Sequence, residues 1–215
     1  MIKLTKEAEP VILTTNKMDW TTQLLNHIVL GTKIPKSLEN NYNKKEIKDS
    51  LRKESHSKCM YCESMISHIT FEHIEHIKPK AKDKFPQFTF EYFNLGLSCP
   101  KCNMNKSDTY DNLTPFIDPY NDDPKNHFEA IGAFLWAKSG DIRAKITEIE
   151  IDLNRPELLE IRGERMRTIR TLIDNFNTTP VGVLKDALKK EIDKEIDQNK
   201  PYSFCARKLV DMLCI

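Results

Sequence analysis

Two Cys-x-x-Cys pairs, Cys59/Cys62 and Cys99/Cys102, constrain this chain more than any other feature. Each two-residue spacer lets both sulfurs of a pair face one point, so four thiols paired in this way suit a tetrahedral zinc site. Cys62 and Cys99 lie 37 positions apart, a longer gap than in a simple zinc ribbon. The pairs therefore bracket an insert, and the insert is chemically equipped. It contains FEHIEHIKPK at 71–80 and runs into FNLGLSCPKCNMNKSD at 93–108. Glu75, His76 and Asn94 lie between the pairs, and Asn103 directly follows the last cysteine. A metal clamp around an acid, a histidine and two amides is the layout of a catalytic site more than of a purely structural one.

Composition limits what such a site can serve. Lys and Arg number 33 against 32 Asp and Glu, for a net charge of +1. The chain as a whole is no polyelectrolyte binder, and any nucleic-acid surface must be a local patch. With 39% hydrophobic residues, 215 positions suffice for one domain, or for a small domain with helical additions. No apolar run approaches the roughly 18 residues of a membrane span. The opening MIKLTKEAEP lacks a signal-peptide core, so a cytoplasmic location is expected. Thiols stay reduced there, which favours metal over disulfides for the four paired cysteines. Cys205 and Cys214 fall in an apolar helical pattern and read as core residues.

Along the chain, residues 1–16 fit an edge strand or an extended arm. Trp20 to Leu30 predicts a helix with Asp19 as its cap and Trp20, Leu24, Leu25, Ile28 and Val29 on one face. Residues 31–45 read as loop, and about 45–55 as a second helix leading into the first cysteine pair. Lys44, Lys45, Lys48, Arg52, Lys53 and Lys58 cluster there, either as a solvated face or as phosphate contacts. Ile69 to Ile77 and Asn94 to Ser98 predict paired strands, and Asn103 to about Asp108 opens a helix. After a proline-rich loop at 112–128, Phe134–Trp136 and Ala144–Leu153 predict a hairpin closing on Gly140. Asn154-Arg155-Pro156 is a helix-start signature. Three helices should follow, broken at Pro180, and the one at about 181–197 should be mostly exposed.

Cys-x-x-Cys, then Glu-His-Ile, then Asn-Leu-x-x-x-Cys-x-x-Cys-Asn-x-x-Lys resembles the HNH endonuclease motif in its zinc-buttressed form. Further matches are IEH-x-x-PK, IDPYNDDP and DLNRPELLEIR, which with the motif span roughly residues 56–165. These resemble the HNH nuclease subunit of Septu and related retron anti-phage systems, the PtuB-like family. The resemblance implies an α+β fold, with a zinc-buttressed ββα-metal core and N-terminal and C-terminal helical additions. The expected divisions are 1–55 (arm and helices), 56–115 (nuclease core), 116–153 (loop and strand pair) and 154–215 (helical region). It also implies an ABC-type ATPase partner (PtuA-like) and a nucleic-acid substrate, with DNA favoured over RNA, and no membrane.

On this reading His76 is the general base. Glu75 and Asn103 stand where the family carries other ligands, and as oxygen donors they suit catalytic Mg²⁺ or Mn²⁺. Asn94 ties down the inter-strand loop and so orients the base. The four cysteines hold structural Zn²⁺, leaving no open position for water. Lys106, Lys78, Lys80 and His73 are candidate nucleic-acid contacts. His73 repeats the local Glu-His-Ile pattern, which leaves a register ambiguity of three residues. The PK after His76 favours the second copy, and alternation puts His73 on the face of Glu75 rather than of His76. A standalone restriction or homing-type nuclease and an inactive zinc-ribbon adaptor are the competing classes. A binding module alone has no need of a base and two metal-capable oxygens.

Overall fold

The computed structural model describes residues 1–66 and 72–213, so the expected start of the first strand and Cys214 lie outside the described residues. The fold is α+β. Residues 1–9 form no regular element, yet Met1, Ile2 and Leu4 are buried, and the Leu4 N–H donates to the Pro119 carbonyl at 2.8 Å. Lys6 anchors this arm by packing over the rings of Tyr92 and Tyr120 and pairing with buried Glu54 at 3.2 Å. The extended-arm reading therefore describes residues 1–9.

Helix α1 (Val11–Val29) starts nine residues before the expected Trp20. Pro10, at φ −56°, is already set for helix entry, and no side chain caps the end. Asp19 is mid-helix, where it accepts from Gln23. The buried face runs through Leu13 and Leu24, with Trp20 packed edge-on against Phe90 at 5.6 Å, whereas Val29 is exposed. The expected loop contains a short helix, α2 (Lys36–Glu39). Helix α3 (Lys45–Ser55) falls where the periodicity put it and buries Ile47 and Leu51 completely. Burial on that scale is worth about 1.5–3 kcal/mol per side chain. His56 and Ser57 then both take the left-handed conformation and turn the chain into the first cysteine pair.

Strands β1 (His73–His76) and β2 (Leu95–Ser98) form an antiparallel pair in which Glu75 faces Gly96 and His76 faces Leu95. Met60 packs so closely here that a Cβ on Gly96 would overlap its Sδ, which explains a glycine inside a buried strand. Helix α4 (Pro100–Lys106) begins earlier than expected because Cys99 caps it, its sulfur accepting from the Cys102 N–H. Pro100 fits the first turn.

The expected second hairpin is different in the structure. After α5 (Pro124–His127), β3 (Phe128–Ile131) pairs with β4 (Phe134–Ala137), turning at Gly132 with φ +58°. The Ala144–Leu153 stretch is helical, as α6 (Ile142–Glu150). Its alternating Ile-Thr-Glu-Ile-Glu pattern suits a strand, but Asp141 accepts from the Ala144 N–H at 2.9 Å and caps a helix. Ala144, Thr147, Glu148 and Ile151 then share one buried face.

In helix α7 (Pro156–Thr178) Arg155, not Asn154, holds the N-cap position, and no side chain caps the end. Asn154 instead clamps β4, accepting from the Leu135 N–H and donating to its carbonyl. Helices α8 (Val183–Glu195) and α9 (Ser203–Met212) complete the chain; α8 buries Ile192 alone, and α9 buries Phe204, Cys205 and Val210. All these segments contribute to one hydrophobic core. Buried Lys58 bonds the Gln198 and Lys200 carbonyls and pairs with Glu63, whose carboxylate accepts from Ser203 at 2.9 Å. The C-terminal helices are thus fastened to the cysteine knuckle.

Candidate active site

Cys59, Cys62, Cys99 and Cys102 are all buried, and their sulfurs lie within 4.8 Å of one another. Cys62 and Cys99 are 3.9 Å apart at sulfur. A disulfide would need about 2.05 Å, whereas tetrahedral zinc with 2.3 Å bonds separates sulfurs by about 3.8 Å. The donor set therefore fits zinc. Burial pushes the Cys59 thiol up, while thiol donors from Cys102, Cys59 and Cys99 hold Cys62 below its ordinary range. Four thiolates together require a cation. Arg155 adds positive charge at this cluster, its Nη1 lying 3.7 Å from the Cys102 sulfur. Only the fold brings Arg155 there, and no sequence signal marked it.

Along the free edge of β1 lies a cleft of about 700 Å³, lined by His73, Glu75, His76, Asn103, Tyr42, Lys48 and Lys80 among others. Alternation does put His73 and His76 on opposite faces of β1, but both reach the cleft because it follows the strand's open edge. Among the described residues no strand pairs with β1 on that edge.

Glu75 is buried between two α4 side chains one turn apart. Asn103 Nδ2 donates to its Oε2 at 2.8 Å, and Lys106 Nζ pairs with its Oε1 at 2.8 Å. Burial pushes the Glu75 carboxyl up, and the Lys106 charge opposes that shift. Asn103 Oδ1 faces His73 Nδ1 at 3.4 Å. His73, Glu75 and Asn103 thus lie side by side at the cleft wall.

His76 is buried, with Tyr42 packed edge-on at 4.6 Å. Its Nε2 lies 3.0 Å from the Thr89 carbonyl, an acceptor, so that nitrogen carries the proton and Nδ1 keeps its lone pair. Burial lowers the imidazole to about 3, with the Thr89 bond pulling the other way, so His76 is neutral at pH 7. Asn94 spends its whole amide on the loop: Oδ1 accepts from the Lys78 N–H, and Nδ2 donates to the Lys78 and Phe88 carbonyls. Phe88 is next to Thr89, so this clamp holds in place the carbonyl that orients His76.

One expected nucleic-acid contact needs correction. Lys106 is fully buried and donates to the His76 carbonyl as well as pairing with Glu75, so it cannot meet a phosphate. Lys78 is half-buried, holds its ammonium over Phe85 and Phe88 and is not among the cleft-lining residues. Lys80 does line the cleft, with a 3.4 Å pairing to Glu39. In the α3 cluster, Lys45, Arg52, Lys53 and Lys58 are all ion-paired. Lys48 lines the cleft and has no ion pair among the described residues.

A hairpin and short helix carrying Glu-His and Asn beside a four-cysteine cluster suited to zinc define the class: an HNH endonuclease domain. Residues 59–114 match the model of the HNH endonuclease family. The chain is also similar to two proteins called Septu protein PtuB. One, from Bacillus thuringiensis, is 28% identical over 75% of this chain and 66% of its own length. The other, from Bacillus mycoides (strain KBAB4), is 25% identical over 92% of this chain and 79% of its own length. The similarity thus extends well beyond the cysteine-bracketed core, while spanning just under two thirds of the first relative. No described helix is long and apolar enough to cross a membrane.

Proposed function

We propose that this protein is a metal-dependent HNH endonuclease that hydrolyses phosphodiester bonds, with His76 as general base and Glu75 and Asn103 as ligands of one divalent ion. The observation that carries the reading is the tautomer of His76. Donation from Nε2 to Thr89 leaves Nδ1 as a fixed proton acceptor in a neutral ring. A ring so placed has its acceptor nitrogen free at pH 7; burial also weakens it as a base, and the negative charge of a bound phosphate is what raises its proton affinity again. Glu75 and Asn103 offer oxygens on the same wall of the cleft, suited to Mg²⁺ or Mn²⁺. When bound, such an ion supplies charge neutralisation at the scissile phosphate and at the leaving oxygen. Lys48 and Lys80 at the rim are placed to attract the phosphate backbone, and Asn94 maintains the loop that orients the base.

The similarity to Septu PtuB proteins supports a role as the nuclease of a Septu-type system; we further propose that it acts on DNA, in the cytoplasm, with an ABC-type ATPase partner against phage. A docking element is available at the α7–α8 turn, where Val181, Val183 and Leu184 are exposed.

His76→Ala should reduce cleavage of plasmid DNA by about 10²–10⁴-fold with zinc content retained. Glu75→Ala and Asn103→Ala should regain part of their loss at high Mg²⁺ or Mn²⁺. Full activity in His76→Ala would overturn the assignment of the base. For the partner, co-expression with an ABC-type ATPase, taken from next to this gene if one is encoded there, followed by size exclusion, should give one complex; separate elution at micromolar concentration would count against it.

A further inference from the structure

The Glu75–Asn103 pair leaves one neighbour without a role. His73 stands on the same face of β1 as Glu75, two residues away, and its Nδ1 is 3.4 Å from Asn103 Oδ1. Adjacent ligands of an octahedral ion with bonds near 2.1 Å lie about 3 Å apart. His73 Nδ1 and Asn103 Oδ1 approach that spacing without any rearrangement of backbone. Asn103 also contacts Glu75, so the three side chains form a continuous row at the wall of the open cleft.

Charge points the same way. Glu75 is the only anion in the row, and buried Lys106 already offsets it at 2.8 Å. A hard ion such as Mg²⁺, held chiefly by carboxylate charge, gains little from a carboxylate so neutralised. An imidazole nitrogen adds affinity for first-row transition ions instead, since they accept nitrogen ligands far better than Mg²⁺ does.

We propose that His73 is the third protein ligand of the catalytic ion, through Nδ1, and that the site therefore selects a transition-metal dication over Mg²⁺. This rests on the Glu75–Asn103 site proposed above and deepens it. His73 is then a metal ligand and not a contact to nucleic acid. To bind, Nδ1 gives up any proton it shares with Asn103 Oδ1, and Nε2 carries the ring's proton.

The test uses zinc-loaded protein and Mn²⁺ as probe, because the thiolate cluster holds zinc in preference to Mn²⁺. Mn²⁺ binding is followed by loss of the free-ion electron paramagnetic resonance signal, with Mg²⁺ as competitor. Mn²⁺ should bind at least about tenfold more tightly than Mg²⁺. His73→Gln should weaken Mn²⁺ by at least about tenfold, the least expected of a direct ligand when even supporting partners are worth about 10–100-fold, and change Mg²⁺ by less than about threefold. Electron spin-echo spectra of bound Mn²⁺ should show a directly coordinated nitrogen in the wild type, retained in His76→Ala and lost in His73→Gln. Absence of that nitrogen in the wild type overturns the proposal, even if the variant fails to fold, as does its persistence in His73→Gln. If Glu75→Ala leaves Mn²⁺ affinity unchanged, the two-ligand site itself is wrong; if Glu75→Ala abolishes binding while His73→Gln does not weaken it, only the third ligand is wrong.

Discussion

Replacing Lys106 by Met tests the buried centre of this site. Methionine keeps the length of the side chain and removes the ammonium. Glu75 then loses its 2.8 Å partner in a place where burial already pushes its carboxyl up from 4.5. A buried unpaired carboxylate is costly, and protonation is its escape. That escape caps the penalty at the cost of protonating a group whose unfolded value is 4.5. At 1.36 kcal/mol per pH unit, the cap is about 3.4 kcal/mol at pH 7 and about 1.4 kcal/mol at pH 5.5. The sign follows from linkage: a carboxyl raised in the folded state costs stability above its unfolded value, and the cost fades as pH falls toward 4.5. The lost bond to the His76 carbonyl adds about 1 kcal/mol independent of pH. Urea unfolding of wild type and Lys106→Met with zinc present should therefore show a gap of at most about 4 kcal/mol at pH 7, since the wild-type carboxyl is itself raised, and the gap should narrow by up to about 2 kcal/mol at pH 5.5. Adding Glu75→Gln should recover most of it. A gap that does not change with pH, or one below about 1 kcal/mol at pH 7, would refute the reasoning.

Metal analysis should find about one zinc per chain, and Cys59→Ser or Cys102→Ser should lower stability because site formation is coupled to folding; well-folded metal-free protein indifferent to these changes would contradict it. Nitrogen-15 NMR should show His76 as the neutral Nε2–H tautomer at both pH 7 and pH 5, since its value is lowered to about 3; an imidazolium at pH 5 would be the opposing result. Glu63 is buried, which alone would raise it, but the terminal amine and Lys58 hold it at about 2 instead of 4.5. Its stabilisation, about 3 kcal/mol, is present above pH 4.5 and lost as pH falls toward 2, so Glu63→Gln should destabilise at pH 7 and flatten that acid dependence in chemical unfolding. Gly96→Ala should cost about 1–3 kcal/mol through overpacking against Met60, readable as a lower urea midpoint.

Local chemistry made much of the site legible. Paired cysteines imply a shared ion wherever they meet, because a two-residue spacer orients its sulfurs regardless of distant contacts. The β1–β2 pairing was expected around the Glu-His and Asn-Leu segments that carry the family resemblance, α3, α7 and α9 from apolar residues at helical spacing, and α8 from opposite charges four residues apart. Where a pattern was short, tertiary context decided. Ala144–Leu153 alternates like a strand, yet one capping carboxylate and a shared buried face made it α6. Asn154 looked like a cap and became a strand clamp because β4 presented it with an unpaired donor and acceptor.

What the sequence by itself determined was which groups are present and which of them lie on one strand or one helical turn: four thiols, Glu75 beside His76, and Asn103 three residues before Lys106. What only the tertiary structure decided was solvent and partners. Lys106 reads as a phosphate contact until packing seals it against Glu75. His76 reads as an ordinary imidazole until Thr89, thirteen residues away in a loop without pattern, takes its Nε2 proton into a hydrogen bond. His73 and His76 read as exclusive until one cleft takes in both. Spacing encodes neighbours along the chain, but dielectric, tautomer and accessibility belong to the atoms that come from elsewhere in it.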